Sequence, residues 1–239
     1  MATDDEPMDQ IVDVNCPLPL SSAVPSSLGE IWAVDPKERE RGSAGGAGPR
    51  DLGHTTPTRW QFVAVPPFDG SVVASAIEVA KSPGPRVLRL CPGRHGYPLA
   101  SWLLAPLPEL CDAAEVALVL DYAPPAQAAW TEIVELARRH PSLCLVLAGG
   151  LSGQLGVLRA FLDAVANVIV ELSGLDDAAW LARTVSELGA HRFVFGSNGD
   201  PTRVFELVES ASLNQKDARL VLSGVAGLLD AGSWAEAWL

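Results

Sequence analysis

Short, unbroken apolar runs recur along this chain, separated by longer amphipathic stretches. Val87-Leu88-Arg89-Leu90, Ala117-Leu118-Val119-Leu120, Cys144-Leu145-Val146-Leu147 and Val168-Ile169-Val170-Glu171-Leu172 do not alternate apolar with polar. Runs of this kind suit strands of a parallel sheet that is covered on both faces. The pattern predicts strands over 60–65, 86–91, 116–121, 143–148, 168–172 and 193–196. Helices are predicted over 70–81, 98–113, 125–140, 153–166, 176–188, 202–210 and 215–229, with an Asp at the start of the 176–188 helix and Asn214 as N-caps. Strand and helix therefore alternate as βα units do.

Upstream the signal is weaker. Residues 11–16 read as a first strand, and 31–34 as a short, weak one. With these the count reaches about eight, the number a closed (βα)8 barrel needs. The fold predicted is a TIM-like barrel, irregular or incomplete near its second βα unit, because no helix pattern separates the first two strands. A doubly wound open sheet is the alternative, since periodicity cannot show closure. Residues 1–10 are expected to be a disordered tail and 11–239 a single domain; the charged, Gly-rich stretch 36–58 is expected to be a mobile loop.

Composition narrows the function classes. Hydrophobic residues make up 48%, enough for a sizeable core. The net charge is -12, with 17 basic residues against 29 acidic ones, which argues against a nucleic-acid surface. Cys16, Cys91, Cys111 and Cys144 include no CxxC pair and are expected to be reduced thiols. No secretory signal or membrane-spanning run is evident, so the expectation is a soluble, cytoplasmic protein.

Several residues could carry chemistry. Arg89 is a charge within a strand and is expected to pair with an acid such as Asp121 or Glu171, either structurally or to bind a carboxylate ligand. Asp121 closes its strand, and with Glu171 it could form a carboxylate pair on neighbouring strand ends. His95 follows a strand on the side where barrel sites form. His140 at a helix end and His191 at the start of the last strand are expected to be structural, and His54 lies in the 36–58 stretch. Ser197 and Asn198, in Gly196-Ser197-Asn198-Gly199-Asp200, could bind an anion, although Asp200 before Pro201 also reads as an N-cap. Gly149-Gly150 forms a glycine-rich turn without a nucleotide fingerprint. Ser152 and Ser197 lack the setting of a nucleophile. Trp102, Trp130 and Trp180 are expected in the core, while Trp234 and Trp238 could cover an apolar patch or a subunit contact.

Taken in order, these pieces resemble the amidohydrolase superfamily, in its amidohydrolase-related branch. The resemblance rests on Ile11-Val12-Asp13-Val14-Asn15-Cys16-Pro17, on Arg89-Leu90-Cys91-Pro92 with His95-Gly96-Tyr97-Pro98-Leu99, on Arg138 to Leu147, on Gly196-Ser197-Asn198, and on Gly224-Val225-Ala226-Gly227-Leu228-Leu229. It implies a barrel whose active members bind a divalent metal through His-x-His and a later His, with a final Asp serving the metal-bound water. The corresponding positions here are Asn15, Pro17, Ala148 and Asn198. The resemblance thus points to a divergent member that binds a small molecule or a protein partner without metal-dependent hydrolysis and without a cofactor. Its alternative is an active hydrolase or decarboxylase, its divalent metal, such as zinc, held by a non-standard set including Asp121 and His95. Association with an active paralogue or with further copies of the chain is compatible with either. No nucleic-acid or membrane partner is expected.

Overall fold

Every residue of the strands β5 (Val87–Leu90), β6 (Ala117–Asp121), β7 (Leu145–Ala148) and β8 (Val168–Glu171) is buried, as unbroken apolar runs require. The computed structural model describes residues 11–17, 28–34, 58–60, 62–63, 70–80, 86–121, 129–231 and 234. The expected tail, the stretch 36–57, His54 and Trp238 lie outside them. The remaining strands are β1 (Ile11–Pro17), β2 (Leu28–Val34), β3 (Thr58–Trp60), β4 (Phe62–Val63) and β9 (Phe193–Val194).

All strand pairs among the described residues are parallel and run in sequence order, β1-β2-β3 and then β4 through β9. Residue 61 alone separates β3 from β4 in the sequence, so the two count as one position in the strand order. Counted that way the order is that of a (βα)8 barrel, and the fold is TIM-like. The connections between β1, β2 and β3, where the irregularity near the second unit is expected, lie outside the described residues.

The helices are α1 (Gly70–Ala80), α2 (Pro92–His95), α3 (Ser101–Leu104), α4 (Leu107–Ala113), α5 (Ala129–Arg139), α6 (Leu155–Ala164), α7 (Ala178–Leu188), α8 (Pro201–Ser210), α9 (Gln215–Arg219) and α10 (Val225–Ala231). The expected 98–113 helix is instead two pieces, α3 and α4. Pro106 has no N–H to donate, and it holds Ala105 in an extended conformation (ψ 131°) that stops the first piece. That break also places Trp102 on the outside, 76% exposed, so the expectation of a core tryptophan there is wrong. Trp180 is buried and Trp130 packs its ring 5.0 Å from that of Phe161, as expected. His191 falls in a 3-10 turn, Ala190–Arg192, just before β9 rather than in the strand. Asp177, Asp200 and Asn214 cap α7, α8 and α9 by accepting backbone N–H bonds.

Two apolar clusters lie on opposite faces of the sheet. Leu88, Leu90, Leu118, Leu120, Leu145, Leu147, Val168 and Val170 pack outward on the helices. Val87, Ala117, Val119, Val146, Ala148, Ile169 and Val194 pack on one another and on Val225, Ala226, Leu229 and Trp234. This second cluster is the barrel interior. Burying one such Val or Leu contributes roughly 1.5–3 kcal/mol. Trp234 thus covers an apolar patch as expected, and its indole N–H donates to the Ser142 carbonyl at 3.1 Å. A π-helical turn, Leu220–Gly224, interrupts the last helix. Such a turn frees a carbonyl from the helix ladder, and Val221 O accepts from Phe195 N at 2.9 Å on the far side of β9.

Polar side chains in the corners entering the strands cap helices of the neighbouring βα unit. The Asn167 amide donates to the carbonyls of Ala137, His140 and Leu143 at 3.1, 2.8 and 2.8 Å. Arg192 donates to Val168 O at 2.9 Å and Val165 O at 2.8 Å. Burial lowers its pKa to about 10, so it remains a cation at neutral pH.

Two outcomes follow for stability. Asn167→Ala leaves buried carbonyls without a donor and is expected to cost about 2–3 kcal/mol in urea denaturation. Burial pushes the Cys111 and Cys144 thiols well above their usual range. The unfolded thiols ionise near pH ~8.5 while the folded ones stay protonated, so the unfolded chain holds fewer protons and stability falls as pH rises past ~8.5. Denaturation at pH 7.5 and 9.5 checks this, with Cys144→Ala reducing the difference.

Candidate functional site

Side chains along β5 alternate, so Arg89 and Cys91 share the interior face with Val87. By the same period Asp121 follows Ala117 and Val119, and Glu171 follows Ile169. Asp121 pairs in register with Ala148, and Leu147 with Val170. Asp121, Ala148 and Glu171 therefore form one row at the C-terminal ends of β6, β7 and β8, where barrel sites form. Asp121 and Glu171 are not on neighbouring strands, as the carboxylate-pair expectation supposed; β7 lies between them, which puts their backbones roughly 10 Å apart.

Asp121 is 3% exposed and Arg89 is fully buried, and Arg89 Nη1 lies 3.8 Å from Asp121 Oδ2. Of the two acids considered for Arg89, Asp121 is thus an ion-pair partner. The same oxygen lies 3.9 Å from Arg94 Nε and accepts from the Cys91 thiol at 3.7 Å. Arg94 sits on α2, one turn beyond the strand, and is partly exposed. Burial above all, with the Asp121 carboxylate nearby, pushes the Tyr97 phenol above its ordinary range, so it is a neutral O–H at physiological pH. His95 lies on the same turn, its ring 6.2 Å from that of Tyr97.

Glu171 serves its own strand end. Its carboxylate accepts from Ser173 N at 2.6 Å, Ser173 Oγ at 2.7 Å and Gly149 N at 3.3 Å. A Cβ added at Gly196 would come within 2.5 Å of the Glu171 carboxylate, which explains the glycine after the last strand. Ser197 is buried and its Oγ accepts from Gly199 N at 3.0 Å. Asn198 is exposed and left-handed (φ 48°). Asn15 and Pro17 are in β1, whose backbone pairs with β2. The structure therefore brings Arg89 and Asp121 together with Cys91, Arg94 and Tyr97, which sequence reasoning did not single out. Their signal was the spacing 89, 91, 94, 97: two strand positions on one face, followed by a single helical turn.

The fold is thus a parallel α/β barrel that carries an ion-paired polar cluster at the C-terminal ends of its strands. Residues 51–200 match the amidohydrolase family model, and the chain belongs to that family. Solved structures with the same fold include 5-carboxyvanillate decarboxylase from Sphingomonas paucimobilis, at 15% identity and a TM-score of 0.63 over 85% of this chain and 79% of that one. 2,6-Dihydroxybenzoate decarboxylase from Rhizobium aligns at 11% identity and a TM-score of 0.63, covering 94% and 99%. Dihydroorotase from Campylobacter jejuni aligns at 11% identity and a TM-score of 0.60, covering 92% and 82%. Comparison with curated protein sequences gives no match. No helix among the described residues is long and apolar enough to cross a membrane.

If Arg89 and Asp121 act as one buried pair, each single change leaves a charge behind. Arg89→Met and Asp121→Leu are each expected to cost about 3–5 kcal/mol. The double variant should recover at least ~1 kcal/mol of the summed loss in a urea-denaturation cycle.

Proposed function

We propose that this chain is a ligand-binding amidohydrolase-family protein that does not use metal-dependent hydrolysis, its ligand a small molecule or a protein segment held at the barrel mouth. The observation that carries this reading is the setting of Asp121, with two guanidinium groups within 4 Å of the same oxygen. A divalent ion bound to that oxygen would face both cations at short range, a repulsion of several kcal/mol in a partly dry site. The donor set does not fit the metal either. Ala148 has no donor atom, and no group of three or more His, Cys, Asp or Glu side chains among the described residues could hold an ion. A metal needs such ligands preassembled and deprotonated. On this reading the protein is cytoplasmic, in keeping with the buried thiols of Cys111 and Cys144.

A second reading is favoured by the fold shared with two decarboxylases and a dihydroorotase. It is an active hydrolase or decarboxylase with a metal held by Asp121, His95 and further ligands. Elemental mass spectrometry separates the two, after expression with added zinc and manganese and gentle desalting. Less than ~0.1 metal per chain is expected, and close to one tightly held metal per chain would overturn the proposal.

A further inference from the structure

Of the four asparagines in the chain, Asn15, Asn167, Asn198 and Asn214, only Asn198 is followed by glycine. That pair forms the turn between the last strand and α8. Asn198 and Gly199 have φ of 48° and 94°, and Asp200 N donates to Ser197 O at 3.1 Å. Two central residues with positive φ make Ser197 to Asp200 a type I′ turn. The turn belongs to no ladder, since β9 ends at Val194 and α8 begins at Pro201. Such a pair can react with itself, because a side-chain amide carbon and the next backbone nitrogen close a five-membered ring. At most asparagines the Cβ of the following residue crowds that nitrogen. Gly199 has no Cβ. Asn198 is exposed, so water reaches its amide and ammonia can leave. The Gly199 N–H donates to Ser197 Oγ at 3.0 Å. A hydroxyl that turns about its own side-chain bond releases the nitrogen without breaking a main-chain hydrogen bond. The other asparagines differ. Asn15 precedes Cys16 within β1. Asn167 is buried, donates to three carbonyls and precedes the β-branched Val168. Asn214 is exposed, but Gln215 follows it and its Oδ1 accepts from Asp217 N as the cap of α9.

We infer that Asn198-Gly199 is a self-modifying site, at which Asn198 deamidates in the folded protein through a succinimide. Gly199 N gives its proton to hydroxide and bonds to Asn198 Cγ. The Cγ–Nδ2 bond breaks, and ammonia leaves with a proton from water, which restores the hydroxide. Water then opens the ring at Cγ, giving an aspartate at 198, or at the main-chain carbonyl of 198, giving an isoaspartate whose backbone runs through Cβ and Cγ. One amide and one water become one carboxylate and one ammonium ion, and nothing is oxidised or reduced. Aspartate tolerates the left-handed conformation as asparagine does, so the turn survives in that product. Isoaspartate lengthens the main chain by one methylene and does not fit the turn. Either product adds one negative charge at the end of the barrel where Asp121 lies. The inference does not depend on what the mouth binds.

Peptide mass spectrometry of the full chain tests the site, after timed incubation in mildly alkaline buffer, folded and, in parallel, unfolded in urea. Trypsin places Asn198, Asn167 and Asn214 in separate peptides, 193–203, 160–183 and 204–216. In the folded chain the Asn198 peptide is expected to gain one mass unit with time, at least about tenfold faster than either of the others. The rate should rise about tenfold from pH ~7 to pH ~8, because hydroxide enters it. Ion-exchange chromatography should resolve a species with one more negative charge that elutes with the Asn198→Asp variant. Asn198→Gln should abolish that species, since glutamine needs a less favourable six-membered ring. Melting curves show that both variants are folded. An Asn198 peptide that keeps its mass in the folded chain, whether or not it deamidates in urea, would overturn the inference. So would a folded-state rate no greater than that of Asn214.

Discussion

The ion pair between Arg89 and Asp121 is the constraint around which the barrel interior is organised. Below it the interior face is apolar, from Val87, Ala117 and Val119 down to Leu229 and Trp234. A cation there with essentially no exposure is tolerable only if an anion meets it, and Asp121 sits one strand away to do so. The same carboxylate then draws in Arg94 and the Cys91 thiol, so a single acid fixes three residues of the β5 strand end and the turn after it. A residue that first neutralises a core cation thereby shapes the mouth of the barrel.

The other interior acid has a different fate. Glu171 is bound by two backbone N–H groups and a serine hydroxyl, and it occupies the space a side chain at 196 would need. Arg203 of α8 donates to the carbonyls of Ser173 and Leu175, tying that turn to the next helix. Two carboxylates in one row thus do separate work: Glu171 bonds two βα loops and packs against Gly196 of a third, and Asp121 meets the guanidinium groups of Arg89 and Arg94. Their separation by β7, at Ala148, is what keeps these tasks apart.

The alternation of apolar runs with amphipathic helices was legible because burial on both faces leaves no polar position in a strand. The caps at Asp200 and Asn214 were legible for a local reason, a side-chain acceptor beside exposed N–H groups. The break before Pro106 and the outward Trp102 were missed because the helical pattern of 98–113 outweighed proline's missing donor. Arg89 and Asp121 were visible as charges in apolar runs, but their pairing needed the register between β5 and β6. Arg94 and Tyr97 were invisible as site residues, since an arginine and a tyrosine in a loop are ordinary until the structure shows what lies beside them. The role of Gly196 was hidden for the same reason: its constraint is a carboxylate 25 positions earlier in the chain.

The account stands or falls on whether a guanidinium, rather than a metal ion, is what answers the charge of Asp121. Anomalous diffraction from crystals grown in excess zinc, collected above the zinc absorption edge, tests this directly. The account predicts no anomalous peak at ligand distance, about 2 Å, from either Asp121 oxygen, with Arg89 still facing that carboxylate. An ordered peak there, with Arg89 turned away, would contradict it.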